Sequence, residues 1–285
     1  MINFPVRIPL GQWAESIVNW LTENFSTVFD SIKVVVEFLL VQLDSFFVWV
    51  PWPVMLIGLT LCGWIVAGKR VGILTAACLF GLGCLDLWVI GMSTLALVTT
   101  AVFISVLFGL PIGILAAKSP RFDVILRPIL DGMQTIPSFV YLIPAIMFFG
   151  IGNVPGIIAT VIFALPPMVR LTSLGIQQVD KEVVEAGVAF GCTPVQLLLK
   201  IQLPLAIPSI MTGVNQTVMM ALSMVVVAAM IGAGGLGSKI LYSIQRIDLG
   251  VGIEAGLGIL FIAVVLDRIL QGVTKKQQDA IMHQK

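Results

Sequence analysis

Histidine is almost missing from this sequence, and charge is scarce. The single histidine, His283, stands in a basic tail, and lysine, arginine, aspartate and glutamate together make up only 11% of the 285 residues. A soluble globular domain carries about 25% charged residues, so a globule bathed in water is excluded. A His-centred catalytic site has almost no material, and no catalytic residue is assigned. Basic and acidic residues nearly cancel, to a formal net charge of +1, and no nucleic-acid partner is expected. Cysteine is sparse too. Cys62, Cys78, Cys84 and Cys192 show no metal-ligand spacing, and three of them lie in or beside apolar runs, so neither a metal site nor structural disulfides are expected.

Apolar residues fill the space these absences leave. They reach 58% of the chain, with a mean hydropathy of +1.06. Stretches long enough to cross about 30 Å of hydrocarbon occur near 51–67, 71–91, 94–117, 128–149, 154–169, 209–231 and 249–267. The expected fold class is an all-α membrane protein of about seven transmembrane helices.

Between the fifth and sixth of these runs lies a polar island, Glu185-Ala-Gly-Val-Ala-Phe-Gly191, followed by Ile201-Gln-Leu-Pro204. Asp180 is placed to cap a short helix over 181–190, with Glu182 and Glu185 near its positive end. Gly191 supplies a left-handed turn, Thr193 caps a second helix, and Pro194 occupies its first position. Pro204 and Pro208 are expected to stop that second helix. Two short helices meeting at a glycine elbow make a compact knob suited to a groove in a partner.

With the knob in the cytoplasm, Arg7, Lys33, Lys239 and Arg246 fall outside and the other twelve of the sixteen lysines and arginines fall inside. That bias agrees with the positive-inside rule. The N-terminus is then extracytoplasmic, and no basic segment ahead of a short apolar core marks it as a signal peptide. Residues 11–50 read as interfacial helices, because Trp13, Ile17, Trp20, Leu21, Phe25, Val28, Phe29, Ile32 and Val36 recur at helical spacing with charges between them. The rival reading makes 34–50 an eighth span, which would place Glu37 and Asp44 at membrane depth at a cost of a few kcal/mol each.

The island, written E-A-G-x3-G-x9-I-x-L-P, resembles the "EAA" loop by which permease subunits of bacterial ATP-binding-cassette importers dock their ATPase. The residues carrying that resemblance are Glu185, Ala186, Gly187, Gly191, Ile201, Leu203 and Pro204. Asp131-Gly-Met-Gln-Thr-Ile-Pro-Ser-Phe-Val-Tyr-Leu-Ile-Pro144, Phe163 to Arg170, Leu174 to Val179 and Asn215 to Val227 are similar to the permeases of glycine betaine/proline importers. The resemblance runs from about Thr94 to Asp267. It implies a type I importer permease core over 94–270, containing a cytoplasmic coupling loop at 170–208. Ahead of the core stand two peripheral helices at 51–93 and the interfacial region 1–50, and a basic cytoplasmic tail follows at 271–285. It also implies a homodimer in the bacterial cytoplasmic membrane, two ATPase subunits that bind ATP and Mg, an extracytoplasmic substrate-binding protein and contact with lipid. The expected solute is glycine betaine, with proline, choline and carnitine as alternatives.

Gly232-Ala-Gly-Gly-Leu-Gly237 matches G-x-G-x-x-G, but an apolar run precedes it instead of a strand, so it reads as a glycine-rich outer turn rather than a nucleotide site. Any ATPase is then a separate subunit. Asn215, Gln216, Met219, Met220 and Ser223 are candidate pore-lining residues in a run without ionisable groups. Helix packing for the methionines and interhelical hydrogen bonding for the polar set are equally open. Pro137, Pro144, Pro166 and Pro167 are candidate helix kinks. Asp131 is expected to pair with Arg127. Two other classes remain. A secondary transporter would need intramembrane coupling groups such as Asp86, Asp131 or Glu254, and would leave the knob unexplained. A membrane enzyme would need a clustered catalytic set that the sequence lacks.

Overall fold

The computed structural model describes residues 9–282; Arg7, His283 and Lys285 lie outside them. The helices are α1 (Leu10–Asn24), α2 (Ser26–Trp49), α3 (Trp52–Ala67), α4 (Lys69–Cys84), α5 (Trp88–Lys118), α6 (Pro120–Thr135), α7 (Leu142–Phe149), α8 (Asn153–Gln177), α9 (Lys181–Ala189), α10 (Pro194–Leu197), α11 (Leu203–Ala229), α12 (Leu236–Arg246) and α13 (Leu249–Met282). No strand occurs among the described residues.

α8 is the central rod, packed along α5 on one side and α11 on the other. Lipid tails are as apolar as leucine, so such packing depends on close approach at small residues. A Cβ on Gly113 of α5 would lie 2.6 Å from Thr172 Cβ of α8, and one on Gly175 of α8 would lie 2.6 Å from Ser209 Cβ of α11. α13 closes the far side of α11 and carries the antiparallel pair α3 and α4. The largest apolar cluster joins Leu79 and Leu82 of α4, Leu87, Met92 and Leu95 at the start of α5, Leu222 and Val225 of α11, and Ile262 and Val265 of α13.

Several expected boundaries shift. Among the described residues, four helical stretches are long and apolar enough to cross a membrane as single rods: Trp88–Lys118, Asn153–Gln177, Pro194–Ala229 and Leu249–Asp279. The number rises to six if each of two bent pairs, α2 with α3 and α6 with α7, counts as one crossing. The apolar run expected over 71–91 ends at Cys84. Asp86 takes the left-handed conformation (φ 53°), Leu87 N–H donates to Leu82 C=O, and Asp86 N–H donates to Gly83 C=O. This pair of bonds caps α4, and aspartate tolerates the left-handed position better than most residues. α8 runs eight residues past the expected 169, to Gln177.

The run expected over 128–149 is no continuous span. α6 ends at Thr135, Ile136 and Pro137 are extended, Ser138–Tyr141 forms one 3-10 turn, and α7 leaves at 104° to α6. Pro137 lacks the N–H that would bond Met133 C=O, and the Tyr141 hydroxyl donates to that carbonyl instead, at 2.7 Å.

α2 meets α3 at 103°. At one end Phe29 stacks on Phe148, with centroids 4.5 Å apart, beside the turn that starts α8. Just past the other end, Trp52 lies with Trp88 at the start of α5. α2 therefore lies across the bundle and joins two points on the same side of it.

Candidate docking loop and translocation path

The knob is built as its residues dictate. Asp180 accepts a bond from Glu182 N–H (2.9 Å), and α9 follows for nine residues. Glu182 sits in its first turn, whereas Glu185 lies one turn further on and away from the positive end. α9 stops in a Schellman motif: Gly191 has φ +80°, its N–H donates to Val188 C=O, and Cys192 N–H donates to Gly187 C=O. Thr193 then caps α10 reciprocally with Gln196, each side chain accepting from the other's backbone N–H, and Pro194 is the first helical residue. Gln196 was not singled out in the sequence, although T-x-x-Q is the signature of this box.

Gly187 has a different role from Gly191. It is buried where the two arms cross, and a Cβ there would lie 2.6 Å from Ile201 Cδ1 and 2.8 Å from Leu197 Cδ1. Gly187 and Ile201 of the motif are thus partners in one contact. Glu185, Ala186 and Pro204 are exposed and Leu203 is half-buried. Beside them Phe190 (89% exposed), Val188, Val195 and Leu199 present an apolar cap to the surroundings. An exposed apolar cap on a rigid two-helix elbow is suited to a partner's groove.

Pro204 and Pro208 do not stop the second arm. It continues through one π turn, Leu198–Gln202, into α11, so a single stretch runs from Pro194 to Ala229. Pro204 is the second residue of α11, and the wide π turn ahead of it makes room for the ring. The knob is therefore continuous with α11.

On α11, Gln216 and Ser223 lie on an exposed stripe with Thr212 and Met230, while Met219 and Met220 are half-buried against the main apolar cluster. Asn215 turns the other way. Its amide donates to Asp267 Oδ1 of α13 (2.9 Å), and Gln271 of α13 donates to both oxygens of the same carboxylate. Asp267 and Gln271 were not foreseen, although an acidic residue ending an apolar run needs a partner at helical spacing or on a neighbouring helix.

Of the four candidate kinks, only Pro137 marks a break. Pro144 sits in the first turn of α7, where no helical N–H is required, and α8 continues through the buried Pro166 and Pro167. Those two prolines leave the carbonyls of Ile162 and Phe163 without their usual helical donors. The expected Asp131–Arg127 pair does not form. Arg127 pairs with Asp123 one turn earlier, and Asp131 pairs with Arg170 of α8. Positions 127 and 131 lie on one helix, but so do 123 and 127, and only the Asp131–Arg170 contact ties two helices together.

Two donors of the glycine-rich turn are taken by side chains from other helices. Gly234 N–H donates to Asn153 Oδ1 and Leu236 N–H to Thr94 Oγ1, both at 2.8 Å, and a Cβ on Gly237 would lie 2.2 Å from Val225 C=O. Amides occupied by side chains have no capacity left to cradle a phosphate.

A bundle of long apolar helices, one of them continuous with an exposed two-helix knob at its end, is the architecture of a multi-pass membrane protein with a surface shaped for a partner. Residues 109–278 match the model of the family described as "Binding-protein-dependent transport system inner membrane component", and the chain belongs to that family. It is 48% identical over 266 residues to the glycine betaine/proline betaine transport system permease protein ProW of Escherichia coli (strain K12), covering 93% of this chain and 75% of that protein. It is 44% identical over 284 residues to the glycine betaine/carnitine transport permease protein GbuB of Listeria monocytogenes serotype 1/2a (strain 10403S), covering 97% and 99%. Among solved structures it resembles an inward-facing form of the MetNI methionine ABC transporter, with TM-score 0.57, 25% identity, and 63% of this chain and 92% of that chain covered. The fold is that of a type I ABC importer permease.

Proposed function

We propose that this chain is the pore-forming permease of an ATP-driven, binding-protein-dependent importer of glycine betaine. Proline betaine, carnitine, choline and proline are the neighbouring solutes. A second copy completes the pore, two separate ATPase subunits holding ATP and Mg dock beneath, and a binding protein delivers solute from outside. The observation that carries this reading is the knob formed by Glu185, Ala186, Gly187, Gly191, Ile201, Leu203 and Pro204, held rigid by a Schellman cap and a capping box and continuous with α11. A push on the knob moves α11 as a lever. The substrate class rests on the permeases named above, which transport quaternary-ammonium solutes by description. It fits a stripe of neutral polar groups, Thr212, Gln216 and Ser223, bordered by soft methionines. The crosswise α2 supports an interfacial N-terminal region that braces the outer face.

A secondary transporter would leave the knob idle. Substrate-stimulated ATP hydrolysis in the reconstituted assembly tests the reading. Gly191→Val forces a β-branched residue into a left-handed position, and Glu185→Lys reverses charge on the exposed arm. Both are expected to lower stimulation severalfold at equal permease abundance. Unchanged stimulation in both removes the knob from its role.

A further inference from the structure

Where α5, α6 and α8 meet, one helical stretch before the knob, a half-open cavity of about 280 Å³ is lined by Asp123, Arg127 and Asp131 of α6 and by Arg170, Ser173 and Gln177 of α8. Small-molecule pockets start at roughly 300 Å³, so the space suits a compact solute. Its charged groups are two guanidiniums and two carboxylates, arranged as the pairs Asp123–Arg127 and Asp131–Arg170. The pocket is therefore neutral overall yet strongly dipolar. Among the described residues Arg170 bonds only through Nη2, to Asp131, and Nη1 has no partner, so its guanidinium fork is only partly used. The Asp131–Arg170 pair is 60% and 40% exposed, and exposed pairs hold together weakly. A ligand carboxylate can take the fork in two parallel hydrogen bonds, while its ammonium end faces Asp123 or the released Asp131.

We propose that this cavity is a cytoplasmic-side binding site for a compact zwitterion of the transported class, and that its occupancy slows further import. The site deepens the importer reading and rests on it. Its ligand carries one carboxylate and one ammonium, because a net anion would meet Asp123 and Asp131 and a net cation would meet Arg127 and Arg170. Binding loosens the Asp131–Arg170 ion pair that ties α6 to α8. α8 ends at Gln177, three residues before the Asp180 cap of the knob, so loosening α8 there reaches the ATPase contact.

The test uses the permease–ATPase complex in phosphatidylglycerol nanodiscs, without binding protein, and radiolabelled glycine betaine at millimolar concentrations. Saturable binding is expected, weakened about tenfold or more by Arg170→Gln, as expected for loss of a charge-assisted pair. Asp123→Asn, whose pair lies within one helix and whose loss spares the α6–α8 link, is expected to weaken binding severalfold. In proteoliposomes, betaine preloaded on the ATPase side should slow uptake in the wild type and slow it less in both variants. A wild-type complex that imports betaine with its binding protein but shows no such binding, or binding unchanged in both variants, overturns the site. Binding of the same size to phosphatidylglycerol nanodiscs without protein gives the signal to the lipid headgroups and also overturns the site. Failure of the wild type to import betaine at all would count against the importer reading instead.

Discussion

Gly187 and Gly191 show how one residue type carries two unrelated duties four positions apart. Gly191 is needed for its left-handed backbone, whereas Gly187 is needed for the space its missing Cβ leaves to Ile201 and Leu197. Only the first duty is legible in sequence, since a helix-ending glycine has a local signature and a packing glycine does not. Gly187→Val is expected to wedge the two arms apart, at about 1–3 kcal/mol of overpacking, and to lower ATPase coupling while the membrane helices remain folded. Coupling equal to wild type would break the link between this contact and the motif. Ile247 makes the opposite case. It caps α12 at φ 56°, a left-handed position costly for a β-branched residue, and it is 91% exposed, so little packing repays the strain. Ile247→Gly is expected to stabilise the detergent-solubilised protein by about 1 kcal/mol, read as a higher thermal unfolding midpoint. An unchanged or lower midpoint would show that Ile247 makes a stabilising contact.

At the level of the element, hydropathy located the apolar runs well and their interruptions poorly. α5, α8, α11 and α13 lie where long apolar runs predict them, because composition alone decides whether a stretch prefers lipid. Asp86 ended α4 inside a run that hydropathy reads as continuous, and Pro137 turned an expected span into two helices at 104°. In both places one backbone position overrode the average of its neighbours. Pro204 and Pro208 failed in the other direction, since the π turn Leu198–Gln202 absorbs what a plain α-helix could not. The Tyr141 hydroxyl now satisfies the Met133 carbonyl left by Pro137. Tyr141→Phe is expected to cost about 1–3 kcal/mol for a carbonyl left unpaired, seen as a lowered unfolding midpoint. No change would mean that water replaces the hydroxyl. Topology is checked with single cysteines in a background lacking the native four. Ser119→Cys and Gln178→Cys should resist impermeant thiol reagents in intact cells, and Ile151→Cys, at a site 79% exposed, should react. Labelling at 178 from outside would invert the orientation.

For the whole molecule, the motif and the apolar runs were readable because both are local in sequence. The ties that hold the bundle were not. Asp131–Arg170, Asn215–Asp267 and Thr94–Leu236 link residues 39, 52 and 142 positions apart. Long-range pairs of this kind follow from which helices become neighbours, which one sequence does not declare. The account these contacts support is that of a lever: α11 joins the knob to the polar stripe and is braced by α8 on one side and α13 on the other. Its central claim is that the chain carries a compact zwitterion using energy supplied by another subunit. The most direct measurement is accumulation of labelled glycine betaine in proteoliposomes holding the permease, its ATPase and the binding protein. The account predicts accumulation that requires ATP on the ATPase side and survives both a protonophore and removal of sodium. Accumulation that proceeds without ATP, or collapses with the ion gradients while ATP is present, would contradict it.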